Sequence, residues 1–125
     1  MARVVGLGLF VTSADPKALG AWYAKVLGLG LQDWNGVAFD PKVMAETPNS
    51  AQVFSFFKAG SDYLKPSTRD FMVNLCVDDM DGMLARIAEH GVEVIWQDDT
   101  DPSGRFAHFL DPEGTKVELW QPTKA

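Results

Sequence analysis

The stretch "FLDPEGTKVELW", Phe109 to Trp120, sets the reading of the chain. Asp111-Pro112-Glu113-Gly114 is a turn with a polar tip between two apolar runs, so it predicts a hairpin of strands near 105–110 and 115–120. Glu118 falls inside the second strand, between Val117 and Leu119. Strand side chains alternate between faces, which puts Glu118 on one face with Lys116 and Trp120. A carboxylate in that place binds a metal, moves a proton or points into water.

Upstream, the sequence repeats itself in outline. "LFVTSADPKALGAWYAKVLGLGL", from Leu9, and "LCVDDMDGMLARIAEHGVEV", from Leu75, each read as strand, acidic helix start, amphipathic helix, glycine stop and strand. Asp15 is a candidate N-cap, with Pro16 at the first helical position. Leu19, Trp22, Tyr23, Val26 and Leu27 share one helical face, and Gly28 supplies the left-handed stop. In the second copy Asp79 caps, Met80, Met83, Leu84 and Ile87 repeat the spacing, and Gly91 ends the helix. Further strand-like runs lie near 31–34, 36–40 and 51–58, and near 92–97, 105–110 and 115–120. Residues 41–50 read as a loop. The pattern is βαβββ twice: a first module over 1–58, a linker over 59–69 and a second module over 70–125, forming a single domain. Each helix needs a sheet face for its apolar stripe. The expected α+β fold is therefore a curved eight-stranded mixed sheet, shaped as a trough or half-barrel, with both helices outside.

Composition limits the function classes. The 125 residues carry a net charge of −6 without a Lys/Arg cluster, which argues against nucleic acid and anionic membranes as partners. No run approaches the length of a membrane span, and "MARVVGLGLF" reads as a first strand rather than a signal peptide. The single cysteine, Cys76, leaves no internal disulfide and fits a reducing cytoplasm.

"WYAKVLGL" after a capped helix start, together with "DPEGTKVELW" near the C-terminus, resembles the vicinal oxygen chelate superfamily of glyoxalases, bleomycin-resistance proteins and extradiol dioxygenases. The likeness covers nearly the whole chain and includes the duplicated βαβββ order. It implies a homodimer and a trough that takes a small-molecule ligand. Metal-dependent members carry four ligands on trough-facing strand positions. Glu118 matches the last. The others fall at Gly8, at Met72 and near Phe54 or Ser55. Glycine has no donor, and a thioether suits hard divalent ions poorly. No cofactor is therefore expected, and a divalent metal enters only as an alternative.

By parity with the implied ligand positions, Phe10, Met72 and Trp120 give the trough apolar walls, and Asn74, His108 and Glu118 give it polar groups. Tyr63 and Arg105 lie in or beside loops that could rim it; Arg105 either meets an anionic ligand or offsets Asp98, Asp99 and Asp101. His108 and Glu118 are the candidate catalytic pair, because imidazole titrates near neutral pH. Three functions follow. The first is a metal-free protein binding a small, partly aromatic molecule, with lyase or isomerase chemistry through that pair. The second is a metal-dependent glyoxalase or dioxygenase. The third is a non-catalytic interaction module.

Overall fold

The computed structural model describes residues 1–123. Helix α1, Pro16–Leu27, starts where the Asp15 carboxylate accepts from the Ala18 amide at 3.1 Å, and it stops at Gly28, φ 72°. The main second-half helix, Met80–Glu89, is built the same way. Asp79 accepts from the Gly82 amide at 3.0 Å, and Gly91 beyond the C-cap takes φ 75°. Between them lies a short helix, Pro41–Glu46, so the order is α1, α2 and α3. The segment 41–50 was expected to be a loop. Asp40 caps the Lys42 amide and Pro41 occupies the first position, which is enough to start one turn and a half. Ser61 caps a 3-10 turn over Asp62–Leu64 in the linker.

Four strands follow: β1 Val73–Cys76, β2 Trp96–Asp101, β3 Gly104–Leu110 and β4 Lys116–Pro122. They form one mixed sheet in the order β1-β4-β3-β2, with β1 parallel to β4 and the other pairs antiparallel. The hairpin at 111–114 is present. The Asp111 carboxylate accepts from the Glu113 and Thr115 amides at 2.9 Å each, and its other oxygen accepts from the Tyr23 hydroxyl at 2.7 Å, tying the turn to α1.

One sheet face carries Val117, Leu119, Ala107 and Phe109, all fully buried under the helices with Val26, Leu27, Met80 and Ile87. Trp22 of α1 reaches Phe109, with ring centres 6.3 Å apart. Arg86 of α3 donates to the Lys25 and Val26 carbonyls at 3.0 Å, closing the C-terminal end of α1. Removing one cap should cost about 1 kcal/mol. Asp79→Ala is therefore expected to lower the denaturation midpoint without changing its slope, which urea unfolding followed by circular dichroism would register.

The expected eight-stranded sheet is half present. Among the described residues, the first-module runs at 1–12, 31–34, 36–40 and 51–58 join no ladder. A strand exists only against a neighbour that takes its backbone hydrogen bonds. Within this single chain those runs have none, and their apolar side chains stand in water: Val4 is 96 % exposed, Phe10 95 % and Phe56 83 %.

Candidate functional site

The sheet register aligns four side chains in one row. Asn74 of β1 is opposite Glu118 of β4, Glu118 is opposite His108 of β3, and His108 is opposite Trp96 of β2. All four lie on the face away from the helices, because their immediate neighbours Val117, Leu119, Ala107 and Phe109 fill the core.

At the centre Glu118 is 7 % exposed and His108 2 %. Three donors hold the carboxylate. Asn74 Nδ2 lies 2.7 Å from Oε1, His108 Nε2 lies 2.7 Å from Oε2, and the Tyr63 hydroxyl donates to that same Oε2. Burial alone would raise the Glu118 carboxyl, but the hydrogen bonds from His108, Tyr63 and Asn74 outweigh it and hold the group below the ordinary glutamate range. The Tyr63 phenol is pushed well above its ordinary value, first by burial and then by its bond to the carboxylate. An ionised carboxylate only accepts, so His108 Nε2 carries a proton, and in the neutral imidazole Nδ1 is the nitrogen with the lone pair. The pair thus has the form of an oriented base.

The imidazole is packed between aromatics. Trp96 lies over it with ring centres 4.4 Å apart, and Tyr63 meets it edge-on at 5.1 Å. Phe57 stacks on the outer side of Tyr63, also at 5.1 Å. Beside this cluster runs a groove of about 450 Å³, lined by Tyr63, Ile95, Trp96, His108, Lys116 and the 62–66 turn. A smaller depression of about 290 Å³ lies elsewhere, by Val43 and Gln121, with its carboxylates Glu46 and Asp78 exposed.

The structure brings together four residues singled out in the sequence, His108, Glu118, Asn74 and Tyr63. Two others border them. Met72 lies half-buried just before β1. Trp120, also half-buried, is in the next row, stacked 6.4 Å from Phe106, with its indole N–H on the Ser103 carbonyl. Two are not brought in. Phe10 stands exposed on the unpaired N-terminal run. Arg105 lies at the opposite strand parity from His108 and pairs with Asp99 at 2.9 Å and Asp81 at 2.8 Å. The groove above Glu118 is also more closed than an open trough, since Tyr63 covers the carboxylate. Trp96 and Lys116 are the site residues that the sequence reading did not select. The signal for Trp96 was cross-strand: it is the β2 partner of His108, and that register depends on a bulge between Asp98 and Asp101.

Among the described residues no three His, Cys, Asp or Glu side chains stand together as a metal-binding group. Both Glu118 oxygens are engaged by donors, and the companions are one imidazole, an amide and a phenol, which leaves His108 and Glu118 as two metal-binding side chains rather than three. This donor set does not fit the three-ligand sites usual for Zn²⁺.

The glyoxalase-like domain family matches residues 8–120. The chain belongs to that family, and with it to the vicinal oxygen chelate superfamily. Its fold is similar to that of TnmS3, an antibiotic binding protein from Streptomyces sp. CB03234, at 25% identity over 98% of this chain and 100% of that one, TM-score 0.60. It is also similar to TioX from Micromonospora sp. ML1, at 19% identity over 97% and 98% of the two chains, TM-score 0.54. A glyoxalase/bleomycin resistance protein from the same Streptomyces strain is 41% identical over 39% of this chain and 42% of its own, TM-score 0.36. No curated protein matches. Among the described residues no helix is long and apolar enough to cross a membrane.

Proposed function

We propose that the protein binds a small, partly aromatic molecule in the groove beside Trp96 and His108, without a metal. The observation that carries this reading is the row Asn74–Glu118–His108–Trp96. It joins a held carboxylate and an imidazole with a free Nδ1 to an indole that is 42% exposed, on the one sheet face the helices leave free. An apolar wall with a few converging polar groups is the usual make-up of a ligand site. The antibiotic-binding TnmS3, similar over its full length, supports the same reading. Where the ligand carries an acidic C–H beside a carbonyl, His108 Nδ1 takes that proton and returns it to a neighbouring atom, and Glu118 stabilises the imidazolium formed between the two steps. That is isomerase chemistry, and proton return coupled to loss of a leaving group would make it a lyase.

The reading extends to the assembly. A second copy of this chain supplies the neighbours that the first-module runs lack, completing an eight-stranded sheet as a homodimer. The exposed apolar side chains on 1–12 and 51–58 support it, because isolated soluble monomers rarely show so large an apolar patch.

Thermal melting against bleomycin and a panel of planar aromatic antibiotics tests the binding. A ligand at 100 times its dissociation constant adds about 2.7 kcal/mol to stability. At least one panel member is expected to raise the melting temperature by several degrees, and Trp96→Ala to weaken its binding about tenfold. Elemental analysis is expected to find no stoichiometric transition metal. About one tightly held metal per chain, lost in Glu118→Ala, would replace this reading with metal-dependent chemistry.

A further inference from the structure

Lys116 is 5 % exposed, yet among the described residues it forms no ion pair with a carboxylate. Its ammonium donates to two backbone carbonyls of the linker turn, those of Tyr63 and of Lys65, the latter at 2.9 Å, and it lies 5.4 Å from the centre of the Tyr63 ring. An ammonium of ordinary surface type reaches for water or an acid, because burial disfavours its charge. Burial does push the Lys116 ammonium down, opposed by the nearby Glu118 charge. All its partners lie on the residue that covers the site and on the turn carrying it. That turn reaches the Glu118 carboxylate through the Tyr63 hydroxyl.

We propose that Lys116 is a positioning residue, a clasp that fastens the 63–65 turn to β4 and so delivers the Tyr63 hydroxyl to Glu118. Tyr63 and His108 share Oε2, so each donor limits the charge the other meets. The clasp therefore sets how firmly Glu118 is held as an anion. It bears on ligand affinity only through the binding role proposed above, but its own effect is read without a ligand. The titratable and charged groups around it are Glu118 of β4 and His108 of β3, Asp101 of β2, and Tyr63, Asp62 and Lys65 of the turn. Asp62 and Lys65 pair with each other at 2.7 Å.

The test follows the Glu118 carboxyl carbon by NMR during acid titration of the full chain. Lys116→Met should release Tyr63 and raise the Glu118 midpoint by about one pH unit. Tyr63→Phe should raise it comparably. Because both act through one hydroxyl, Tyr63→Phe made in the Lys116→Met background should add little, the non-additivity expected of coupled residues. Lys116→Arg, which can donate to both carbonyls, should keep the Glu118 midpoint close to the wild-type value. An unchanged midpoint in Lys116→Met overturns the clasp. So does full additivity of the two substitutions, which would leave only the loss of a nearby charge. If Lys116→Met fails to fold, Lys116→Gln keeps an uncharged N–H donor group on a shorter side chain and should give a smaller rise, and no rise counts against the proposal. Loss of the titration shift with ligand binding intact removes the clasp alone. An intact shift with no ligand found removes the binding reading alone.

Discussion

Glu118→Leu should destabilise the protein by about 3–5 kcal/mol at neutral pH, the scale for removing one partner of a buried ionic cluster. The substitution keeps a similar volume but strands three donors. The Asn74 amide, the His108 Nε2 proton and the Tyr63 hydroxyl all face Glu118, and Trp96 of β2 and Tyr63 of the linker turn pack against the His108 ring. Glu118→Gln keeps one acceptor oxygen and should cost about 1–3 kcal/mol. The two differ from wild type in pH dependence as well. The folded Glu118 carboxyl titrates below the ordinary glutamate range. A group depressed in the folded state contributes stability that is full above its unfolded value, about 4.3, and is lost as pH falls through the folded one. Wild type should therefore lose stability on acidification below about pH 4 more steeply than Glu118→Gln, which has no carboxyl to protonate. Urea unfolding at pH 7 and again near pH 3 measures both effects. If Glu118→Leu unfolds at the wild-type midpoint at pH 7, the cluster supports neither fold nor site.

The helices were legible because their signals are local. Asp15 with Pro16, and Asp79 alone, carry the start, and Gly28 and Gly91 carry the stop, each within one turn of chain. The β3–β4 hairpin was legible for the same reason, through the Asp111–Gly114 turn. The short α2 helix was missed because Pro41 was read as turn chemistry, although Asp40 before it also caps. The Glu118–His108–Asn74 set was reachable from strand parity once the order of β1, β4 and β3 was assumed. Trp96, Tyr63 and Lys116 needed more. Their roles come from a bulge-shifted register, from the course of a linker turn and from backbone carbonyls that no residue pattern encodes. Arg105 shows the limit in the other direction. Its place beside the "DPSGRF" turn left open both an anion at the rim and nearby aspartates, and the pairing with Asp81 comes from the packing of α3.

The exposed first-module runs lead to the second large effect, on assembly. Phe54 and Phe56 alternate along 51–58, lie 4.7 Å apart ring to ring, and are both largely exposed. In a single chain an aspartate at either position meets only water. In the proposed homodimer the same carboxylates would be buried against the partner's sheet, and the effective penalty is several kcal/mol per uncompensated ion. Each 1.4 kcal/mol is tenfold in a dissociation constant, so Phe54→Asp with Phe56→Asp should weaken dimerisation at least a hundredfold. Light scattering at micromolar concentration should give wild type a mass near twice 13.7 kDa and the double variant a mass near 13.7 kDa. A monomeric wild type would overturn the homodimer and leave the apolar runs without the neighbour proposed for them. Phe57, on the other parity, stacks on Tyr63 and through it reaches the Glu118 cluster. If the 51–58 run takes its final place only against a second copy, the double variant should also loosen that stack and weaken ligand binding, although neither substituted residue touches the groove. Affinity retained in a dissociated variant would instead show that one chain builds the whole site.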